Sequence, residues 1–244
     1  MALYVYKKKK ENPHRRLITG ISYSSMIIGS LFLFWSLYPI LFFEMYSFIN
    51  FRTKPTSPLP EYSSSFINTY NSVLGVSSIL STNLSDYTKA GVWFPSVAQK
   101  VSQDLKVKEY TLSIPRLNIT NAKVIVGGDD LLKGLVHYAP KSLPGMIGNV
   151  AIFGHSLLPQ LAKRGNDYRS IFTYLPSMER GDEIYSTVDG VAYEYKVVDI
   201  FVVNPNEISV LNQTDDDVYM SLITCVPPGT LNQRLVVKAK MDKL

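Results

Sequence analysis

The sequence predicts an all-β domain, a barrel or sandwich of seven or eight strands, carried behind one N-terminal membrane-spanning helix. Three observations lead there. From Tyr110 onward, short runs rich in Val, Ile, Tyr and Thr are separated by clusters of Gly, Pro, Asn and Asp. From Leu17 to Phe43 no charged residue occurs. Among 244 residues, 46% of them hydrophobic, there is one cysteine. That composition rules out a disordered tail or a disulfide miniprotein, and it excludes an intrachain disulfide and a multi-cysteine metal or redox site.

The N-terminus comes first. Lys7, Lys8, Lys9, Lys10, Arg15 and Arg16, against Glu11, account for the whole formal net charge of +5. The rest of the chain is neutral, which excludes a basic nucleic-acid-binding domain. The charge-free stretch that follows would span roughly 40 Å as a helix, enough to cross a hydrocarbon core of about 30 Å with tilt. A kink at Pro39 is tolerable in such a helix. The alternatives are a buried core helix and a cleaved signal peptide. Cleavage would need small residues after the apolar run, whereas Phe42, Phe43, Glu44, Met45 and Tyr46 stand there. The stretch is therefore expected to be an uncleaved anchor, with its basic head cytoplasmic and everything after it outside.

Residues 52–65 are rich in Pro, Ser and Thr and have no apolar periodicity, which suits a spacer. Val97, Val101 and Leu105 recur at helical spacing, so a short helix is expected near 95–105. The strand runs then follow: TLSIPRLNI, AKVIVG, NVAIFGHS, DEIYSTV, VAYEYKVVDIFVV, YMSLITCV and RLVVKAKM. Val188-Asp189-Gly190-Val191 reads as a hairpin, because Asp-Gly suits the left-handed turn between two strands. The expected organisation is a cytoplasmic head (1–16), a transmembrane helix (17–43), an extracellular linker or stalk with a short helix (44–105) and a β domain (106–244).

Nucleophilic chemistry needs a thiol, a base or counter-ion, and a positive group for the developing oxyanion. Cys225 ends an apolar run before Val226-Pro227-Pro228-Gly229, His155 ends another, and Arg234 opens the last strand. All three stand at strand ends, where different strands can converge on one mouth of a barrel. Each also has an innocent reading: a buried small hydrophobe, a turn residue beside Gly154, and a solvated cation. An unpaired thiol in an extracellular domain is, however, open to oxidation, which singles out Cys225 as a candidate reactive group.

Ser221-Leu222-Ile223-Thr224-Cys225 is similar to the TLxTC signature of sortases, the membrane-anchored cysteine transpeptidases of bacterial surfaces, with Ser in place of the first Thr. Gly148-Asn149-Val150-Ala151-Ile152-Phe153-Gly154-His155 resembles their GN-apolar-GH segment, and Gln233-Arg234-Leu235-Val236-Val237 resembles the segment carrying their arginine. Further matches are Leu112 to Leu117, Gly134 to Pro144 with His137 and Ser142, Phe172-x-x-Leu175 and Gly181-Asp182. The resemblance covers roughly 110–241. It implies an eight-stranded sortase-like β-barrel with short helices over 106–244. The loop from Cys225 to Arg234 looks closest to the class D and class E branches. Pilus-building members are disfavoured, since no second membrane segment follows the barrel.

The resemblance also implies a reaction. Cys225 would attack a threonine-like carbonyl in an LPxTG-type sorting peptide and form a thioester, with His155 protonating the leaving amine and then deprotonating the incoming one. Arg234 would stabilise the oxyanion or bind substrate backbone. The thiolate would arise from a His155 ion pair or in a minor protonation state. His137 would have a supporting role. The implied partners are a sorting-signal peptide, an amine acceptor of the cell wall or of another surface protein, and the membrane, with no nucleic acid. No cofactor or metal is expected; Asp215, Asp216 and Asp217 read as a solvated acidic loop, and calcium activation stays open. Rival readings are an L,D-transpeptidase-like wall enzyme, whose Ser-His-Gly before the cysteine is replaced here by Leu-Ile-Thr, and a papain-like hydrolase, whose Cys precedes its His. A noncatalytic membrane-tethered β-barrel domain is the third.

Overall fold

The structure, a computed structural model, describes residues 13–50, 52–53, 88–94 and 107–242. Helix α1 (Pro13–Asn50) contains the apolar stretch Leu17–Tyr38, 22 residues long enough and apolar enough to cross a membrane. Its side chains face outward, Trp35 being 73% exposed, as a lipid-facing helix requires and a core helix does not. The hydroxyl of Ser24 donates to the Gly20 carbonyl one turn back, so this polar group is satisfied within the helix. One N-terminal apolar helix of this kind suggests a membrane anchor.

Among the described residues the β unit has nine strands: β1 (Arg52–Thr53), β2 (Glu109–Ile114), β3 (Ile119–Val126), β4 (Leu135–His137), β5 (Gly148–Phe153), β6 (Glu183–Val188), β7 (Val191–Val203), β8 (Val218–Val226) and β9 (Gln233–Met241). They are hydrogen-bonded in the order β1-β7-β6-β2-β3-β4-β5-β8-β9, and a β7–β9 pairing closes β2 to β9 into an eight-stranded barrel. Closure leaves those eight strands without a free edge along their shared length. The two-residue β1 adds to β7 in parallel, Arg52 opposite Phe201.

Local sequence explains the strand limits. Pro115 breaks the first expected run into β2 and β3, because it cannot donate to a ladder and instead starts a 3-10 turn over Pro115–Leu117. Val188 pairs with Val191 across Asp189 and Gly190, both at positive φ, as a tight right-twisted hairpin requires. β2 and β6 alternate buried residues with more exposed ones, whereas β5 is buried throughout and β8 nearly so. Those two pair in parallel, which is why they read as continuous apolar runs. β4 is only three residues long and was not among the expected runs.

One part of the expected stalk is buried against the β unit. Trp93 and Phe94 are fully buried in the cluster that holds Val136, Phe153, Ile223, Cys225 and Val236. Trp93 stacks on Phe153 at 5.3 Å between ring centroids. The helix expected at 95–105 and the spacer from residue 54 lie outside the described residues.

Candidate active site

Two registers bring the three candidate residues together. In the parallel pair, Phe153 stands opposite Ile223, and Gly154 N–H donates to the Ile223 carbonyl at 3.2 Å. His155 follows two residues beyond this pair, and Thr224 Oγ1 donates to the Gly154 carbonyl at 2.8 Å, so the two chains still run side by side there. In the antiparallel pair of β8 and β9, Cys225 and Arg234 are direct partners. The chain needs glycine at 154, because a Cβ there would come within 2.3 Å of the Phe172 ring. That close approach lets Phe172 N–H donate to the His155 carbonyl at 3.0 Å.

Burial sets the electrostatics. Cys225 is 3% exposed, and burial pushes its thiol up to about 12 while the Arg234 guanidinium opposes the shift. Burial pushes the His155 imidazole down, and its Nδ1 has no hydrogen-bond partner among the described residues. Both departures favour an uncharged thiol beside an uncharged imidazole over an ion pair.

Arg234 is 2% exposed and held by main-chain carbonyls. Its Nη1 donates to Leu231 at 3.0 Å and to Gln233 at 3.1 Å, and its Nη2 donates to Trp93 at 2.9 Å. The guanidinium carbon lies 5.7 Å from the Trp93 ring centroid and 5.9 Å from that of Phe94. Its Nε has no partner among the described residues. Nε and Nη2 lie on one edge of a guanidinium, so the Trp93 carbonyl takes one donor of a two-donor fork.

The segment that supplies this carbonyl is latched in place. Ala90 N–H donates to the Asp129 carbonyl at 2.8 Å, Gly91 N–H to the Asp129 Oδ1 at 2.8 Å, and Leu131 N–H to the Thr88 carbonyl at 2.9 Å. Residues 88–94 thus run from the β3–β4 loop to Arg234 and share one buried cluster with Cys225. Sequence reasoning missed this segment. The signal was an adjacent Trp and Phe inside a stretch otherwise rich in Ser and Asn, too apolar a pair for a solvated stalk.

The remaining candidates lie elsewhere in the fold. His137 is buried in β4, its Nδ1 3.3 Å from the Tyr110 hydroxyl, and burial pushes its pKa down to about 3. It is a neutral core histidine. Asp216 accepts from the Tyr219 hydroxyl at 3.1 Å, and Asp217 pairs with Lys240 at 2.6 Å.

The family model described as the Sortase domain matches residues 112–242. Sortase A of Listeria monocytogenes is 27% identical over 135 residues, which is 54% of this chain and 56% of that protein. Sortase D of Bacillus subtilis is 22% identical over 161 residues, 65% of this chain and 72% of that protein. The chain therefore spans little more than half the length of the first relative. Among solved structures, sortase C1 of Streptococcus agalactiae superposes with a TM-score of 0.50 at 26% identity, covering 62% of this chain and 78% of that one.

Proposed function

The chain belongs to the sortase family, and from that premise we propose that it is a membrane-anchored cysteine transpeptidase that cleaves an LPxTG-like sorting signal and joins the released acyl group to a cell-surface amine. The observation that supports this reading is the pairing of Cys225 with Arg234 across β8 and β9, with His155 two residues past the end of β5 on the other side of β8. A thiol, an imidazole and a guanidinium converge at one end of three neighbouring strands.

The chemistry follows from the charge states. The Cys225 Sγ attacks the carbonyl carbon of the threonine-like residue, and its proton passes to His155. The carbonyl oxygen becomes an oxyanion at Arg234, where Nη2 and Nε offer two parallel donors. His155 then gives its proton to the departing amine, the C–N bond breaks and a thioester remains. An incoming amine attacks the thioester and loses a proton to His155, which returns it to the departing Cys225 sulfur. Because the Trp93 carbonyl occupies Nη2 and residues 88–94 share one buried cluster with Cys225, that segment must leave before substrate enters.

The burial of Cys225 is what a noncatalytic tethered barrel would also have. The guanidinium packed opposite it is what that reading leaves unexplained, since a buried charge is costly without a task. The proposed topology puts residues 1–16 in the cytoplasm and the barrel outside, where a wall amine or another surface protein serves as acceptor. The test is to incubate the full chain, in detergent, with a library of LPxTG-type peptides and an amine, and to identify ligated products by mass spectrometry. Neither ligation nor acyl-enzyme from any peptide would remove the reading.

A further inference from the structure

Ser156 follows His155, is 3% exposed, and donates from its Oγ to the main-chain carbonyl of Cys225 at 2.8 Å. The bond lies beyond Phe153 and Ile223, where the paired register of β5 and β8 ends. On the other side of His155, Thr224 donates from Oγ1 to the Gly154 carbonyl at 2.8 Å. Two hydroxyls, one from each strand, therefore bracket His155 and tie its chain to residues 224 and 225. The next residue is also held, Leu157 N–H donating to Thr173 Oγ1 at 2.9 Å.

The imidazole lacks comparable support, since its Nδ1 is buried with no partner among the described residues. A catalytic imidazole is commonly oriented by a third group at that nitrogen.

We propose that Ser156 is a positioning residue for the transfer reaction: by holding the Cys225 carbonyl, it keeps the thiol and the His155 imidazole at reacting distance. The proposal rests on reading Cys225 and His155 as the reacting pair. Removing the hydroxyl deprives a buried carbonyl of this donor and lets the two strand ends shift, and displacements of about 1 Å at such a pair can cost about 100-fold in rate. The titratable groups of the site are Cys225, His155 and Arg234, and none of them is altered by the substitution.

The test compares Ser156→Ala, Ser156→Thr and Ser170→Ala in the full chain. Ser170 is buried in the same loop, but among the described residues its Oγ bonds only Lys163, so its loss matches the destabilisation without touching the pair. Ser156→Ala should lower kcat at least about tenfold with KM within about twofold, Ser156→Thr should regain most of the rate, and Ser170→Ala should keep it. Ser156→Gly repeats the deletion if the alanine variant does not fold. Nuclear magnetic resonance of the His155 ring needs no substrate: in Ser156→Ala its titration midpoint should rise toward the ordinary value near 6.5 as the ring hydrates. A kcat within about twofold of the parent in Ser156→Ala, an equal loss in Ser170→Ala, or an unmoved His155 midpoint would overturn the proposal. If the parent ligates no peptide, the transpeptidase reading falls and the His155 titration alone decides the role of Ser156.

Discussion

Arg234 donates from Nη2 to the main-chain carbonyl of Trp93 at 2.9 Å. A peptide carbonyl of the chain itself thus sits on the group proposed to receive the carbonyl oxygen of the substrate. Cys225 lies in the same buried cluster as this segment, and burial pushes its thiol up to about 12.

Loosening the latch should therefore uncover the thiol. Asp129→Ala removes the acceptor of Gly91 N–H while leaving the barrel strands intact. Cys225 is the only cysteine, so alkylation by iodoacetamide reports on it alone. The variant should be modified at least about tenfold faster than the parent at one pH, since loss of a hydrogen bond to a carboxylate shifts such an equilibrium by about 1.5–3 kcal/mol. Equal rates in two folded proteins would show that residues 88–94 do not gate the sulfur.

The lowered histidines make stability sensitive to acid. His137 falls to about 3 and His155 is also lowered, so the unfolded chain binds more protons than the folded one below an ordinary histidine value near 6.5. Stability contributed by the neutral rings is present above that value and is lost as pH falls toward the folded values. Each ring adds a slope of up to about 1.4 kcal/mol per pH unit. His137→Asn, which keeps a polar side chain facing the Tyr110 hydroxyl but cannot titrate, should flatten the urea-unfolding profile between pH 6 and 4 by about that slope. An unchanged profile would mean that His137 is hydrated in the folded protein.

The two histidines should separate in activity as well. His155→Ala should lose at least about 100-fold in ligation rate, in the range expected for a general acid–base group. His137→Asn should keep a measurable fraction of activity, because its ring is committed to the interior beside Tyr110. Ligation assays on both variants check this, and a reversal of the two effects would reassign the acid–base role.

The barrel was legible because its strands obey local rules. Asp189-Gly190 marks a hairpin, and the largely apolar runs of β5 and β8 were visible as strands. The convergence of His155, Cys225 and Arg234 was visible as three strand ends, while their register was not, since sequence spacing does not say which strands are neighbours. β4 did not join the expected strand runs because Leu135–His137 is too short to show a period. Trp93 was missed because its neighbours read as spacer and its partners, Phe153 and Arg234, are distant in sequence. Ser156 was missed because a serine after a histidine has many innocent uses, and only its bond to the Cys225 carbonyl distinguishes it.

Arg234 should act through its shape as well as its charge. Lysine keeps the positive charge but offers one flexible ammonium where the guanidinium offers parallel donors. Loss of one preorganised oxyanion donor costs about 100- to 1000-fold in other enzymes, so Arg234→Lys should fall at least about tenfold with the fold intact. Rates within about twofold of the parent would exclude the fork.

The most direct measurement is the intact mass of the full chain after incubation with an LPxTG-type peptide and no acceptor amine. The account predicts a mass increase equal to the peptide acyl fragment, located on Cys225, discharged by hydroxylamine and absent in Cys225→Ala. The adduct should form faster in Asp129→Ala. An unmodified Cys225 in the latch-released variant across a peptide library, or the same adduct in Cys225→Ala, would contradict it.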